Sequence, residues 1–212
     1  AGAQHYITWI YAATAAGDVS VSANARGVDT ALGNTINSAT SGSNVIIIEN
    51  PASLAANLTL MPQQVSIGQI ITVVMRVTNT GGADALNVIG VTPTVAAGAG
   101  SVALLTSPAS QNIPGGAARE FTWTYSATGE GTIQLTSIAY GYDENSGDKK
   151  ESNITTSNSI LIQTPATLIS SIVAYPDPVG IAATITVVMT VTNTGQATAN
   201  NVTPLAFTVS GS

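Results

Sequence analysis

Apolar and polar residues alternate along the stretch "IITVVMRVT" at residues 70–78. Ile71, Val73, Met75 and Val77 fall on one face of an extended chain, and Thr72, Val74, Arg76 and Thr78 fall on the other. A period of two with one apolar face is typical of a strand in an antiparallel sheet that is wetted on one side. The turn-forming triplet Asn-Thr-Gly follows and predicts the end of the strand.

The same alternation predicts further strands before and after this one. No stretch of the chain shows a long helical period, and turn residues separate the short apolar runs. This pattern predicts an all-β protein built as a β-sandwich of immunoglobulin type. The predicted strands are Leu54–Leu60, a strand in which Phe121, Trp123 and Tyr125 share one face, Thr132–Tyr140 and Ser159–Ile162.

Much of the sequence occurs twice. The stretch "ITVVMRVTNTGGADALNV" at Ile71–Val88 recurs as "ITVVMTVTNTGQATANNV" at Ile185–Val202, 114 residues later. "ITWIYAAT" at Ile7–Thr14 pairs with "FTWTYSAT" at Phe121–Thr128 at the same spacing and without a gap. A period of this length fits one sandwich domain, so the sequence predicts tandem immunoglobulin-like repeats of about 114 residues.

The repeat divides the chain into three parts. Residues 1–50 correspond to the C-terminal half of a repeat, 51–164 to a complete repeat, and 165–212 to the N-terminal half of another. Together the two halves lack only the equivalent of Ala99–Pro114. The linker Ile162–Ala166 is short and contains a proline, which predicts a stiff connection between repeats.

A half domain exposes an unpaired strand edge and half of a core, so each half needs a partner. Two arrangements remain open. The chain is either a window of a long tandem array, or its front half is completed by the back half of another copy, head to tail, which builds a filament. The predicted assembly interface comprises Ile7, Trp9, Tyr11, Val45 and Ile47 in the back half, and Leu168, Ile172, Ile185, Val187, Met189 and Val191 in the front half.

Composition narrows the possible functions. Hydrophobic residues make up 44% of the chain and charged residues only 8%, yet apolar runs such as Val45–Ile48 are far too short to span a membrane. The 5 basic residues form no patch and the net charge is −6, which argues against a nucleic-acid partner. The chain contains no cysteine, so disulfides and thiolate metal sites are excluded.

No catalytic set emerges from the sequence. His5 is the only histidine, and the residue 114 positions later is Arg119. Glu120 and Glu130 are candidates for paired acid–base work, but nothing in the pattern fixes them across a cleft. We therefore expect no enzymatic activity and no cofactor.

An acidic loop and two tryptophans are candidates for ligand binding, and each also has a purely structural interpretation. The loop at residues 143–148 offers Asp143, Asn145 and Asp148 as calcium ligands with a turn glycine, although the spacing is not that of an EF-hand. The alternative is a solvated hairpin loop. Trp9 and Trp123 are candidates for sugar stacking, but both lie on alternating apolar faces, which favours a core position.

The chain contains three Asn-x-Ser/Thr triplets. Pro204 follows the third, Asn201-Val202-Thr203, and weakens it, so the other two are the candidate glycosylation sites. They are Asn57-Leu58-Thr59 and Asn153-Ile154-Thr155. Asn57 falls on the outward face of its predicted strand, which leaves it accessible.

The strand ending Val-Thr-Asn-Thr-Gly, the following Ala83 and Asn87-Val88, and the later "FTWTY" resemble the CARDB and DUF11 families of bacterial and archaeal surface repeats. The resemblance implies immunoglobulin-like domains in large extracellular proteins, used for adhesion, spacing or surface layers, and it implies no catalytic residue. We thus expect a structural segment of an extracellular filament, stalk or surface layer. The alternatives are an adhesin that binds a host, glycan or mineral surface through loops such as Asp143–Glu151, or a spacer in a large secreted enzyme.

Overall fold

The computed structural model describes residues 2–206 and 208–211, and within them it contains strands and no helix. No helix able to cross a membrane therefore occurs in this part of the chain. Before the central repeat, the strands are β1 (Gly17–Val19), β2 (Ser22–Ala23), β3 (Arg26–Val28), β4 (Thr35–Asn37), β5 (Ser41–Gly42) and β6 (Ile46–Ile48).

The central repeat at residues 51–164 holds most of the strands. They are β7 (Leu54–Met61), β8 (Gln64–Ser66), β9 (Ile70–Asn79), β10 (Ala85–Gly90), β11 (Thr94–Ala97), β12 (Ser101–Thr106), β13 (Gln111–Ile113), β14 (Ala118–Gly129), β15 (Gly131–Ser137), β16 (Ala139–Asp143), β17 (Lys149–Glu151), β18 (Thr155–Thr156) and β19 (Ile160–Gln163). Two long strands follow it, β20 (Leu168–Tyr175) and β21 (Thr186–Asn193).

The central strands form two layers. One sheet has the order β12-β14-β9-β7. The other has the order β13-β10-β16-β17 and continues as β11-β15-β19-β8, because β10 leads into β11 and β15 into β16 with only short interruptions. Pairing is antiparallel except between β8 and β19. The order β7-β9-β14-β12 in one sheet and the adjacency of β10/β11, β15/β16 and β17/β19 in the other are those of an immunoglobulin-like sandwich, with β13 and β8 added at the edges. The predicted immunoglobulin-like all-β fold is thus confirmed for the central repeat.

The core lies between these two layers. Ile71, Val73, Met75 and Val77 on β9 are fully buried, as the alternation in the sequence predicts. Trp123 on β14 is also fully buried, which supports its interpretation as a core residue rather than a sugar platform. The facing layer contributes Val88, Ile133, Leu135, Ile160 and Ile162.

The flanking strands pair in the registers of the central repeat, with every residue number shifted by 114. On the C-terminal side, β20 pairs with β21 so that Leu168 lies opposite Asn193, as Leu54 lies opposite Asn79. On the N-terminal side, three nested antiparallel pairs, β1–β6, β2–β5 and β3–β4, reproduce the pairings β15–β19, β15–β18 and β16–β17.

One predicted strand does not form. Residues Ile7–Tyr11 carry the apolar alternation of β14, but residues 2–14 join no ladder. The physical reason lies in the pairing of β14, which bonds to β9 on one side and β12 on the other. The counterpart of β9 is β21, at the far end of the chain, so Ile7–Tyr11 has no strand beside it. The strand predicted at Thr132–Tyr140 also differs, since Ile138 interrupts it between β15 and β16.

Candidate assembly interface

The hairpin β20–β21 presents one uncovered apolar face, which we call the front face. Its residues are the counterparts, 114 positions later, of core residues of the central repeat. Met189 is 43% exposed whereas Met75 is 0% exposed, and the other members show the same contrast. The front face consists of Leu168, Ile172, Ile185, Val187, Met189 and Val191.

An open groove of ≈ 690 Å³ lies on the front face. Ile172, Ile185 and Met189 line it on the strands, and Pro204 and Leu205 line it from the following segment. No charged side chain is among its lining residues. The groove is therefore suited to apolar contact rather than to ion or phosphate binding.

The segment at residues 2–50 presents a second uncovered apolar face, which we call the back face. Trp9 is 61% exposed whereas Trp123 is 0% exposed. A second open groove, of ≈ 750 Å³, is lined mainly by apolar side chains of this segment, together with Thr14 and Asp18. The back face consists of Ile7, Trp9, Tyr11, Val19, Val21, Ile46 and Ile48.

For residues 45–48, comparison with the central repeat favours other inward-facing residues than those predicted. Val45 and Ile47 were predicted to face the partner, but their counterparts Ser159 and Leu161 are exposed in the central repeat. The residues whose counterparts are buried are Ile46 and Ile48. The run Val45–Ile48 is apolar throughout, so alternation in the sequence could not identify its inward face, and the ladder register was needed.

Strand β21 also has an unpaired edge. In the central repeat, β9 lies between β7 and β14 and bonds to both. Its counterpart β21 bonds to β20 alone within the described residues. The front half therefore offers a row of free backbone groups beside its apolar face, which is the arrangement that accepts an added strand.

The connections between repeats are hydrogen-bonded in the same way at both junctions. The amide of Ala83 donates to the carbonyl of Asn50 at 2.9 Å, and the amide of Ala197 donates to that of Thr164 at 3.0 Å. Each of these carbonyls directly precedes the proline that begins a repeat. The short linker is thus tied to the turn after β9 or β21, which restricts its movement.

The side chains of the three calcium candidates are engaged by protein groups. Asp143 is buried, and its carboxylate is occupied by backbone amides: Oδ2 accepts from Ala52 at 2.6 Å, and Oδ1 accepts from Ser146 at 2.8 Å and from Asn145 at 3.1 Å. These hydrogen bonds, chiefly that from Ala52, hold the pKa of Asp143 below its usual range, although burial acts in the opposite direction. The carboxylate closes the loop rather than binding a cation.

The other two candidates also have protein partners. Asn145 donates from Nδ2 to Glu49 at 3.0 Å, and Asp148 pairs with Lys150 at 3.5 Å. In the part of the chain that the structure describes, no three His, Cys, Asp or Glu side chains are grouped for metal binding.

The two glycosylation candidates differ in their surroundings. Asn57 is exposed on β7, and its only side-chain hydrogen bond there is a long one from Thr59 at 3.4 Å. The amide group of Asn153 is engaged instead, because Nδ2 donates to Ala56 at 3.1 Å and Oδ1 accepts from it at 2.9 Å. A sugar on Asn153 would displace this contact, so the structure favours Asn57.

The residues considered for acid–base chemistry are exposed and separate. His5, Glu120 and Glu130 all lie on the surface. No hydrogen bond or ion pair joins any two of them in the described ranges.

No family model matches this chain, and neither does any curated protein. Among solved structures, it is similar to native alpha-2-macroglobulin from Escherichia coli, in a crystal structure that spans domain MG7 to the C-terminus. The sequence identity is 19%, the TM-score is 0.41, and the match covers 58% of this chain and 19% of that one. The matched part thus spans about a fifth of the macroglobulin structure.

Proposed function

We propose that this chain is a non-catalytic structural segment of an extracellular filament, stalk or surface layer. In this proposal, the front face is completed by a segment equivalent to residues 2–50, so that sandwich domains form between successive units. The observation that carries it is a set of positions that are buried in the central repeat and at least partly exposed, at a constant spacing of 114 residues, in the two flanking segments. The likeness to CARDB and DUF11 surface repeats and the extracellular location belong to the same proposal.

The central repeat supplies the geometry of the completed junction. There, β14 pairs with β9 so that Trp123 lies opposite Val73 and Phe121 opposite Met75. The equivalent pairing adds residues 4–12 to the free edge of β21, with Trp9 opposite Val187 and Ile7 opposite Met189. This is strand addition to an exposed sheet edge, in which the ladder gives affinity and the alternating side chains give specificity.

Residues 165–211 and 2–50 together contain counterparts of all the strands of the central repeat except β12 and β13. Both of these are edge strands, since β12 is outermost in one sheet and β13 is outermost in the other. The inner strands, which carry most of the core, are therefore represented in the junction.

The junction differs from the central core at one contact. Gly90 lies beneath Trp123, and an added Cβ there would come within 2.5 Å of the indole ring. Its counterpart is Pro204, so the ring of Trp9 must lie differently from that of Trp123. The proposed junction therefore reproduces the strand pairing of the central repeat with local repacking around this tryptophan.

Burial of apolar area contributes roughly 25 cal/mol per Å². The front groove has no charged residue among its described lining, and Asp18 is the one charged residue listed in the lining of the back groove. The contact is heterologous, because the front face of one unit meets the back face of the next. Such a contact does not close on itself and produces an open-ended array. The unit that completes the front face is another copy in a filament of subunits, or the following repeat in a longer chain.

The test compares two substitutions on opposite sides of β21. Val187→Asp places a carboxylate on the front face, whereas Val188→Asp places the same group on the opposite side. Sedimentation velocity and negative-stain microscopy of the 212-residue chain are expected to show concentration-dependent end-to-end assembly. Val187→Asp should abolish this assembly and Val188→Asp should preserve it.

The proposal fails if the unmodified chain remains a monodisperse monomer at high concentration with both flanking segments resistant to protease. The intact mass of the denatured protein, as isolated from its source, then separates the two routes. A mass near 21.3 kDa indicates separate subunits, and a mass of many repeats indicates one continuous array.

A further inference from the structure

The buried carboxylate of Asp143 ties the beginning of the central repeat to its β16–β17 loop. Its Oδ2 accepts from the amide of Ala52, two residues before β7, and both residues are almost completely buried. The contact joins positions 91 residues apart. It therefore fixes where β7 enters the sandwich relative to the opposite sheet.

The loop that follows β3 has the same internal bonds, although its sequence differs. Oδ1 of Asp29 accepts from the amides of Ala31 at 2.8 Å and Leu32 at 3.2 Å, as Asp143 does in its own loop. The carbonyl of Asp29 accepts from Gly33 at 2.8 Å, and its amide donates to Asn34 at 2.9 Å. The corresponding bonds of Asp143, to Gly147 and Asp148, have lengths of 2.8 and 2.9 Å.

What Asp29 lacks is the bond across the sandwich. Its Oδ2 accepts no hydrogen bond from the described residues. The counterpart of Ala52 is Ala166, which is exposed and whose amide donates to no acceptor in the same part of the chain. The acceptor, the carboxylate of Asp29, is therefore already held in place within residues 2–50. The donor, the amide of Ala166, lies in the C-terminal flanking segment.

A second contact of the central repeat also has counterparts of both its partners in the two flanking segments. The carboxamide of Asn158 binds both backbone groups of Leu60 on β7: Oδ1 accepts from the amide at 2.9 Å, and Nδ2 donates to the carbonyl at 3.1 Å. The counterparts are Asn44 and Ala174. Because β20 and β7 pair with their neighbours in the same register, the backbone groups of Ala174 point away from β21 as those of Leu60 point away from β9.

The third bridge of this kind is absent from the flanking segments. Asn153 binds both backbone groups of Ala56 in the central repeat, but the counterpart of Asn153 is Ala39, which has no side-chain carboxamide. The two remaining bridges address backbone groups at positions 166 and 174, eight residues apart on the partner. A slip of one residue would break both, so they specify register where the apolar faces alone would tolerate slippage.

We propose that Asp29 and Asn44 set the register of the junction with a second copy of this chain. Asp29 accepts a hydrogen bond from the amide of Ala166 in that copy, and Asn44 binds both backbone groups of its Ala174. This inference rests on the proposed function. Asp29 and Asn44 are positioning residues, and the bulk of the affinity comes from the apolar faces. At these two points the contacts are made to the main chain of the second copy. They therefore depend on the register of that copy and not on the identity of its side chains.

The experiment uses two full-length chains that form a single junction. A chain with Val187→Asp has a blocked front face and supplies residues 2–50, and a chain with Val19→Asp has a blocked back face and supplies residues 165–211. Their 1:1 affinity is measured by calorimetry. Hydrogen exchange of the Ala166 amide, followed by NMR, reports the predicted bond directly.

Asp29→Asn and Asn44→Ala are placed in the first chain, with the exposed Asp177→Asn and Asn37→Ala as matched controls. Asp177 lies in the half of that chain whose face is blocked. Each test substitution is expected to weaken pairing about tenfold or more, which is the effect of leaving a backbone group unsatisfied at an interface. Asp29→Asn should also remove the protection of the Ala166 amide. Protection of the Ala31 and Leu32 amides verifies that the loop of the Asp29→Asn variant remains folded.

The outcomes separate the two proposals. If the two blocked chains do not pair at all, the proposed function itself fails. If they pair, but both test substitutions behave like their controls and the Ala166 amide exchanges freely in the complex, the register inference is overturned while the proposed function stands.

Discussion

Asn79 and Asn193, 114 residues apart, make the same hydrogen bonds at the ends of β9 and β21. In each, Oδ1 accepts from the glycine amide two residues later and from an amide at the start of the paired strand, and Nδ2 donates to an alanine carbonyl at 2.8 Å. Asn79 makes one bond more, from Nδ2 to the carbonyl of Ile113 on β13 at 3.1 Å. The turn after the strand is thus formed by its own residues and does not depend on a completed core.

The buried position of Asn79 predicts a large effect of substitution. Asn79→Asp replaces an amide that donates to two carbonyls with a carboxylate that repels them, so the free energy of unfolding should fall by about 3 kcal/mol. Urea denaturation followed by far-UV circular dichroism measures the change. Asn193→Asp is the control, because Asn193 is exposed and lies outside the central core. Equal effects of the two substitutions on the main unfolding transition would contradict this account.

The sequence predicted the fold well where one face of a strand is apolar and the other is polar. On β9 the alternation identified all four buried apolar residues, and the core position of Trp123 followed from the same pattern. At residues 45–48, where every side chain is apolar, the alternation did not distinguish the two faces of the strand. It also predicted a strand at Ile7–Tyr11, because the pattern gives the tendency to form a strand but not the presence of a neighbour.

The chemistry of Asp143 could not be predicted from the sequence either. An acidic loop with a turn glycine fits a cation site and a self-closing loop equally well. The deciding contact comes from Ala52, 91 residues earlier. Local spacing contains no information about a hydrogen bond over that separation, whereas the alignment of Asp29 with Asp143 at 114 residues becomes informative once one of the two contacts is known.

Met75 and Met189 provide a matched pair for the energetics of the core. Met75→Ala removes a fully buried side chain and should lower the free energy of unfolding by roughly 2–5 kcal/mol. Met189→Ala removes a half-exposed side chain and should change the unfolding of the unassembled chain by less than about 1 kcal/mol. Chemical denaturation at low protein concentration, where assembly is absent, tests both. A loss at Met189 as large as that at Met75 would mean that the front face is already covered in the single chain.

The buried carboxylate of Asp143 should make the free energy of unfolding of the central repeat decrease in acid. Its pKa lies below the unfolded-state value of 3.8 chiefly because the amide of Ala52 stabilises the charged form. A group with a lowered folded-state pKa stabilises the protein above its unfolded-state pKa, and this stabilisation is lost as the pH falls through the folded value. The free energy of unfolding should therefore decrease as the pH falls below about 4.

Asp143→Asn tests this assignment. The variant should be less stable at pH 7 by about 1–3 kcal/mol, because an amide cannot accept all three backbone bonds that the carboxylate accepts. It should also show a shallower loss of stability between about pH 4 and pH 2 than the unmodified chain. Urea midpoints across this range provide the comparison, with Asp18→Asn as the exposed control. Parallel pH profiles for Asp143→Asn and the unmodified chain would exclude this carboxylate as the source.

Trp9 is a direct reporter of junction formation. The chain has two tryptophans, and in the Trp123→Phe variant Trp9 is the only one left. Because Trp9 is 61% exposed and its counterpart is buried, its emission should shift to shorter wavelength and become less accessible to iodide as the protein concentration rises. Adding Val187→Asp to this variant should abolish the shift, and adding Val188→Asp should leave it intact. An emission maximum that is independent of concentration, in samples that sediment as assemblies, would show that units associate through some surface other than the back face.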